Sequence, residues 1–94
     1  MFTYKIENSY CAITGYKGEV PSELVVPETI EGATVCSITD NAFAGCTTLE
    51  KVTLPPTVQM IGHKAFKDCK NLKTINTKNV THLRPDAFEG VVIA

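Results

Sequence analysis

Apolar side chains recur every 22 or 23 residues over most of the chain, with mostly polar residues between them. A unit of that length cannot enclose a core alone, so successive copies must stack and bury each recurring position as a ladder. The pattern therefore predicts a solenoid of about three coils. The seven aligned columns are Ile38/Ile61/Leu83, Ala42/Ala65/Ala87, Phe43/Phe66/Phe88, Cys46/Cys69/Val91, Leu49/Leu72, Val52/Ile75 and Val58/Val80.

Each coil is predicted to contain a short strand, a corner and a turn. Residues 49–54 match the L-x-x-L-x-L strand of leucine-rich repeats, and the prolines at 55–56 end it because proline cannot donate to a sheet. Residues 58–61 are predicted as a second extended piece, and residues 40–43 as a capped helical or 3₁₀ turn on the opposite side. The fold class is therefore mainly β, a leucine-rich-repeat solenoid with short helical or 3₁₀ turns.

The N-terminal residues are predicted to cap this solenoid. Two alternating stretches, 2–6 and 11–16, flank residues 7–10, as in a β-hairpin. A hairpin there would cover apolar surface and unpaired strand at the open end of the core. The chain is interpreted as one domain that contains a cap hairpin (1–20), an atypical first coil (21–37), two repeats (38–60 and 61–82) and a partial terminal repeat (83–94).

The repeat is similar to that of a known family. The pattern I-x-x-x-A-F-x-x-C-x-x-L-x-x-V-x-L-P-x-x-V-x-x-I over residues 38–61 resembles the BspA-like leucine-rich repeats of bacterial surface proteins. Departures lie mostly toward the C-terminus, where Thr77 and Lys78 replace the apolar-proline end of the strand and Arg84 replaces the usual glycine. The resemblance implies a non-enzymatic adhesion or binding module, whose partner is a host matrix protein, another protein or a glycan.

The location of the protein follows from the resemblance and not from the residues themselves. The family implies a cell-surface or secreted protein. The first six residues, however, contain no basic segment followed by an apolar stretch, so no signal peptide is predicted and a cytoplasmic location stays open. Since no apolar run approaches the roughly 18 residues that span a bilayer, membrane insertion is not expected.

Binding residues are expected on the outward face of the strands, because side chains on a regular sheet make a rigid platform. The candidates are Lys51, Thr53, Thr74 and Asn76. The alternative is that these are ordinary solvated strand residues. A second exposed row, which runs through residues 36–37, 59–60 and 81–82, is predicted to be the poorer candidate.

The two halves of the chain carry opposite charge. Residues 1–50 contain two basic and seven acidic side chains, a formal charge of −5, whereas residues 51–94 contain seven basic and three acidic ones, giving +4. Unlike ends favour an alternative function, a structural spacer or a piece of a longer array that associates weakly end to end. The lysines at 64, 67, 70 and 73 are interpreted as solvated, and no nucleic acid partner is expected, because arginine or aromatic residues are not interleaved with them.

The cysteines and histidines do not predict chemistry. Cys46 and Cys69 share a column and are interpreted as buried thiols, and a bridge between Cys11 and Cys36 is left open. Without a C-x-x-C pair, neither a zinc site nor a cofactor is expected. A nucleophile built from Cys69 and the histidine at position 63 is disfavoured because the cysteine column should point inward, away from any substrate. The protein is therefore predicted not to be an enzyme.

Overall fold

Two sheets face each other across the apolar columns in a computed structural model that describes residues 1–91. The larger sheet has the order β1-β2-β5-β7-β9, with β4 paired to β5, and the smaller has the order β3-β6-β8. No helix occurs among these residues. The strands are β1 Phe2–Glu7, β2 Tyr10–Tyr16, β3 Glu23–Val25, β4 Thr29–Ile30, β5 Ala33–Ile38, β6 Lys51–Thr53, β7 Met60–Ile61, β8 Thr74–Ile75 and β9 His82–Leu83.

The strands pair in the register that the repeat predicts. In the larger sheet Ile38 pairs with Ile61, which in turn pairs with Leu83. In the smaller sheet Val52 pairs with Ile75. All of these pairs are parallel, as expected when one coil follows another along a single axis. The predicted leucine-rich-repeat solenoid is confirmed. The last three residues of the predicted terminal repeat, 92–94, lie outside the described part of the chain.

The phenylalanine column forms a continuous stack inside the solenoid. The ring of Phe43 lies 5.4 Å from that of Phe66, and Phe66 lies 5.5 Å from Phe88, with interplanar angles of 12° and 9°. This spacing is slightly longer than the roughly 4.8 Å between neighbouring strands. Near-parallel rings at that separation are offset, which is a favourable arrangement for aromatic pairs. The rings therefore align one over another, as the column predicts.

The segment 40–45 is a run of single hydrogen-bonded turns in place of the helical or 3₁₀ turn expected there. Asn41 has a φ of 60°, which interrupts a right-handed helical path. The Phe43 amide donates to the Ala65 carbonyl of the next coil at 2.7 Å, whereas the Ala44 amide donates to Asn41, three residues back, at 3.3 Å. Successive amides therefore donate alternately to a carbonyl of their own coil and to a carbonyl of the next coil. A helix cannot form because it needs every amide to donate within the same segment.

The cap is the predicted hairpin. Strands β1 and β2 pair antiparallel, with a bulge between Thr3 and Tyr4. Asn8 and Ser9 connect them with φ values of 50° and 69°, the left-handed pair that two-residue hairpin loops favour. The ring of Phe2 meets Phe43 edge-on at 6.5 Å and 89°. The hairpin therefore closes the N-terminal end of the aromatic stack.

The middle ring should dominate the stability of the fold. We expect Phe66→Ala to lower the free energy of unfolding by about 3–5 kcal/mol, because Phe66 is fully buried between two rings and its loss leaves a cavity. Denaturant titration followed by circular dichroism measures the change. Lys51→Ala, on an exposed position of β6, should change it by less than about 0.5 kcal/mol. Equal losses in both variants would contradict the column assignment.

Candidate functional site

A groove of about 750 Å³ crosses the outer face of the larger sheet. Ser37, Met60 and His82 pair in register across β5, β7 and β9 and contribute one row of its lining. They alternate with Ile61 and its column neighbours, which point into the core, so the row faces outward. The poorer of the two predicted surfaces is therefore the one that contains a concave site.

Gly62 lies in the middle of that groove. It occupies the position of Thr39 in the preceding coil and of Arg84 in the following one. A Cβ at this position would collide with the carboxylate of Asp40 and the adjacent backbone. That carboxylate accepts a hydrogen bond from the His63 amide at 2.7 Å. The absent side chain makes room for the Asp40 carboxylate, which connects two coils at this point of the groove.

The four residues predicted to bind lie on or just beyond the smaller sheet. Lys51 and Thr53 project from β6 and Thr74 from β8, and all three are exposed. Lys51 pairs directly with Thr74, so these two side chains are neighbours on one face. Their role in binding stays a prediction. The strands of this face are two or three residues long.

Asn76 has a structural task that its sequence position did not indicate. Its side-chain oxygen accepts a hydrogen bond from the Leu54 amide at 2.7 Å, and its side-chain nitrogen donates to the Leu54 carbonyl at 2.9 Å. The corresponding bond one coil earlier is a backbone bond, from the Val26 amide to the Thr53 carbonyl at 2.9 Å. Asn76 therefore continues the ladder with its side chain after β8 has ended, and it is not simply a solvated strand residue.

The four thiols are free, including those of Cys11 and Cys36. Cys11 is buried opposite Val35 in β5, and the Cys36 thiol donates a hydrogen bond to the Cys11 carbonyl with a separation of 3.7 Å. Cys69 is also fully buried, and its sulfur lies 3.0 Å from the Phe43 carbonyl oxygen. Burial raises the pKa of the Cys69 thiol to about 11. At neutral pH that thiol is protonated, as an inward-facing cysteine column predicts.

His63 bonds to a carboxylate and not to a cysteine. Its Nδ1 lies 3.1 Å from a carboxylate oxygen of Asp86 in the next coil. Partial desolvation raises the pKa of the Asp86 carboxyl, but the hydrogen bond from His63 and its charge together lower that pKa by more. The pKa of Asp86 is therefore below its usual value. The pair is exposed and joins two coils. The histidine and Cys69, considered above as a nucleophilic pair, are thus occupied by different partners.

Two further kinds of functional feature, a metal site and a membrane-crossing helix, are absent from the described residues. Over residues 1–91, no three histidine, cysteine or acidic side chains are grouped closely enough to hold a metal ion. In those same residues the structure contains no helix of the length and apolar character that a membrane crossing needs. The groove and the exposed strand positions are therefore the candidate binding surfaces of the described residues.

Stacked parallel strands, a 22- to 23-residue repeat and ladders of like side chains define a leucine-rich-repeat solenoid. The family model for the BspA type leucine rich repeat region (6 copies) matches residues 23–93. The chain belongs to the BspA-type leucine-rich-repeat family. No curated protein matches the sequence.

Solved structures of bacterial proteins share the fold. The leucine rich repeat protein of T. pallidum is 32% identical with a TM-score of 0.88, over 97% of this chain and 46% of that one. A leucine-rich repeat protein of Bacteroides ovatus is 24% identical (TM-score 0.79), over 98% of this chain and 32% of that one. A leucine rich cell surface protein of Faecalibacterium prausnitzii is also 24% identical (TM-score 0.79), over 99% of this chain and 28% of that one. The chain thus spans between about a quarter and a half of these proteins.

The two side-chain bonds of Asn76 should contribute measurably to stability. We expect Asn76→Ala to lower the free energy of unfolding by about 1–2 kcal/mol, because the Leu54 amide and carbonyl both lose a partner. Asn76→Asp should lose at least as much, because a carboxylate oxygen in place of the side-chain nitrogen would face the Leu54 carbonyl oxygen with no proton between them. Thermal and urea unfolding measure both variants. A loss for Asn76→Ala no larger than that for Lys51→Ala would contradict this role.

The buried thiol of Cys69 should be unreactive in the native protein. With a pKa of about 11, roughly one thiol in a thousand is ionised at pH 8, and the thiolate is the nucleophile. We therefore expect iodoacetamide to label half-buried Cys36 well before Cys69, with Cys69 labelled only after unfolding. Mass spectrometry of peptides from the labelled protein measures the order. Rapid native labelling of Cys69 would revive the catalytic alternative.

Proposed function

We propose that the protein is a non-enzymatic binding module of the bacterial cell-surface type, which holds a protein or glycan partner against its larger sheet. The groove on that sheet carries the proposal. Its volume of about 750 Å³ lies in the range of known ligand sites, roughly 300–1,000 Å³. Because three successive coils supply its lining, the stacking that builds the core also holds the groove in shape.

The groove combines apolar and polar groups that suit such a partner. Met60 is 52% exposed at its centre, and Leu83, another lining residue, is 43% exposed. Ser37 and Thr39 offer hydroxyl groups on one side, and His82 and Arg84 offer hydrogen-bond donors on the other. An apolar side chain or sugar face can pack on Met60 while a carboxylate, carbonyl or hydroxyl oxygen accepts a hydrogen bond from Arg84.

The smaller sheet has a secondary place in this proposal. Lys51, Thr53 and Thr74 are exposed and can widen the contact when the partner is a protein. Protein interfaces usually cover about 800 Å² on each side, more than the groove alone supplies. The first contact is proposed for the groove because side chains of three successive coils converge there.

The surface location rests on the family. The residues matched by the family model cover most of the chain, and one structural neighbour is described as a cell surface protein. Backbone hydrogen bonds join each coil to the next, so the outward side chains of successive coils keep fixed positions relative to one another. The proposed role is therefore rigid presentation to an extracellular partner.

Matched charge substitutions on the two sheets test the binding site. The purified chain is applied to arrays of extracellular matrix proteins and glycans, and the affinity of each saturable interaction is then measured by surface plasmon resonance. We expect Met60→Glu to weaken binding at least tenfold, because it places a charge in the groove. Thr53→Glu, an exposed position of the same coil on the other sheet, should change the affinity for a glycan less than twofold and should weaken binding to a protein by less than Met60→Glu does.

The opposite order would place the contact on the smaller sheet, as the sequence predicted, and would overturn the groove. Affinity unchanged from that of the natural sequence in both variants would contradict a contact through either sheet. The absence of saturable binding to all proteins and glycans on the arrays would count against the binding function itself. Circular dichroism of each variant shows whether the fold is retained.

A further inference from the structure

Two basic side chains lie along one strand of the groove. The residue between His82 and Arg84 belongs to an inward column, so both project from the outer face of the sheet, about 7 Å apart along the strand. The ladder continues past β9, because the Arg84 amide donates to the Ile61 carbonyl at 3.2 Å. Pairing with the preceding coil therefore fixes the direction of both side chains, and one ligand can reach both.

One acidic group of the groove offsets one of these charges. The Asp40 carboxylate lies against Gly62, which is the neighbour of Arg84 in the preceding coil. It accepts a hydrogen bond from the His63 amide at 2.7 Å, which holds it in place. Among the described residues, the ionisable ones that line the groove are Asp40, His82 and Arg84. The groove therefore has no net charge while the His82 imidazole is neutral and becomes positive when it is protonated.

The hydrogen bonds around His82 suit a protonated ring. Its Nδ1 lies 3.0 Å from the hydroxyl oxygen of Thr81, and that hydroxyl lies 3.4 Å from the Gln59 carbonyl oxygen. A protonated ring can donate from Nδ1 to Thr81 while Thr81 donates to Gln59. The second donor of the ring, Nε2–H, is then left for a ligand.

The other charged groups on this side of the molecule are not partners of His82. The Asp86 carboxylate, two residues beyond Arg84, lies 3.1 Å from Nδ1 of another histidine, in the preceding coil. Lys78, which precedes β9, is exposed and is not a lining residue. Strand β7 places the uncharged Met60 beside the ring. Within residues 1–91, His82 therefore has no carboxylate in ion-pairing distance, and a ligand can supply one.

We propose that the groove binds a glycan that carries a carboxylate, and that protonation of His82 strengthens this binding. The carboxylate accepts hydrogen bonds from Arg84 and from Nε2–H of His82, while a sugar face packs on Met60. The hydroxyl groups of Ser37 and Thr39 bond to sugar hydroxyl groups on the other side. This rests on the proposed binding function and adds the chemical class of the partner and a dependence on pH.

A glycan fits this groove better than an acidic protein does. The groove encloses about 750 Å³, the size of a small-ligand site, and can hold a short oligosaccharide. A protein usually needs about 800 Å² of surface on each side, which the groove alone does not supply. Hydroxyl side chains also line it at Ser37, Thr39 and Thr81. An acidic sugar is the ligand that uses the apolar, hydroxyl and basic groups together.

Binding should strengthen as the pH falls. A bound carboxylate favours the protonated ring, so binding takes up a proton, whereas the carboxylate itself stays ionised. Isothermal titration calorimetry at constant ionic strength measures the affinity for a hyaluronan hexasaccharide and for sialyllactose, two probes that distinguish uronic from sialic acids. We expect at least one of them to bind about fivefold more tightly at about pH 5.5 than at about pH 7.5. A ratio below about 1.5 for both would overturn the proposal.

Matched variants assign the effect to one histidine. We expect His82→Gln to lower the ratio of the two affinities to less than about 1.5, because the ring that takes up the proton is gone. His63→Gln, a histidine outside the groove lining, should keep the ratio of the natural sequence. Arg84→Gln should weaken binding at least about tenfold at both pH values, since the carboxylate loses a charged donor. A ratio lost in His63→Gln but kept in His82→Gln, with both variants folded by circular dichroism, would overturn the role of His82.

Removing the carboxylate from the ligand tests the charge directly. Lactose, and the hexasaccharide with its carboxyl groups reduced to alcohols, should bind at least about tenfold more weakly than the acidic forms at about pH 5.5. Equal affinity for the acidic and neutral forms would overturn the proposal. So would binding of neither acidic oligosaccharide at about 5 mM, or binding of only a glutamate-rich peptide. In each case, loss of the remaining interaction in Met60→Glu would show that the groove still binds, so that failure of the glycan assignment is separate from failure of the binding function.

Discussion

The structure depends on the register between successive coils. Each inward side chain must lie over its counterpart one repeat away, since a slip of a single residue would turn the apolar set outward. The rings of Phe43, Phe66 and Phe88 show this requirement most directly, with separations of 5.4 and 5.5 Å. Differences in repeat length must therefore be absorbed outside the columns. The last complete repeat is one residue shorter than the one before it, and the missing residue falls between Ile75 and Val80. Strand β8 ends there, and the side chain of Asn76 replaces a backbone hydrogen bond.

The sequence predicted the features that repeat and missed those that depend on a neighbour. The columns and the cap hairpin follow from periodicity and turn residues, which are local signals. The path of residues 40–45 does not, because alternate amides there bond to a different coil. The groove could not be predicted either, because the column alignment sets Thr39, Gly62 and Arg84 side by side without indicating the shape of the surface. The close approach of the Asp40 carboxylate to Gly62 depends on the neighbouring coil, and no local pattern shows it.

A stack of this kind separates stability from recognition. Side chains at the ladder positions, such as Ile61 and Phe66, are fully buried in the core. The outward positions between them can be substituted without altering the register. Met60 and Thr53 belong to the same coil but project outward from different sheets, so one repeat can supply side chains to two unrelated surfaces. The exception is Asn76, which faces outward but bonds to the backbone. Outward residues are thus free to vary only where the ladder is complete.

The two ends of the solenoid differ in what they leave open. At the N-terminal end Phe2 meets Phe43 at 89°, and an edge-on ring gives a further coil no parallel face on which to stack. The hairpin therefore ends the aromatic stack, because its ring meets the stack with an edge and not with a face. The same stack gives the rest of the molecule its regularity, since each ring fixes the distance between one coil and the next. Order along the axis thus comes from the parallel rings, and closure of the core comes from the one ring that is turned.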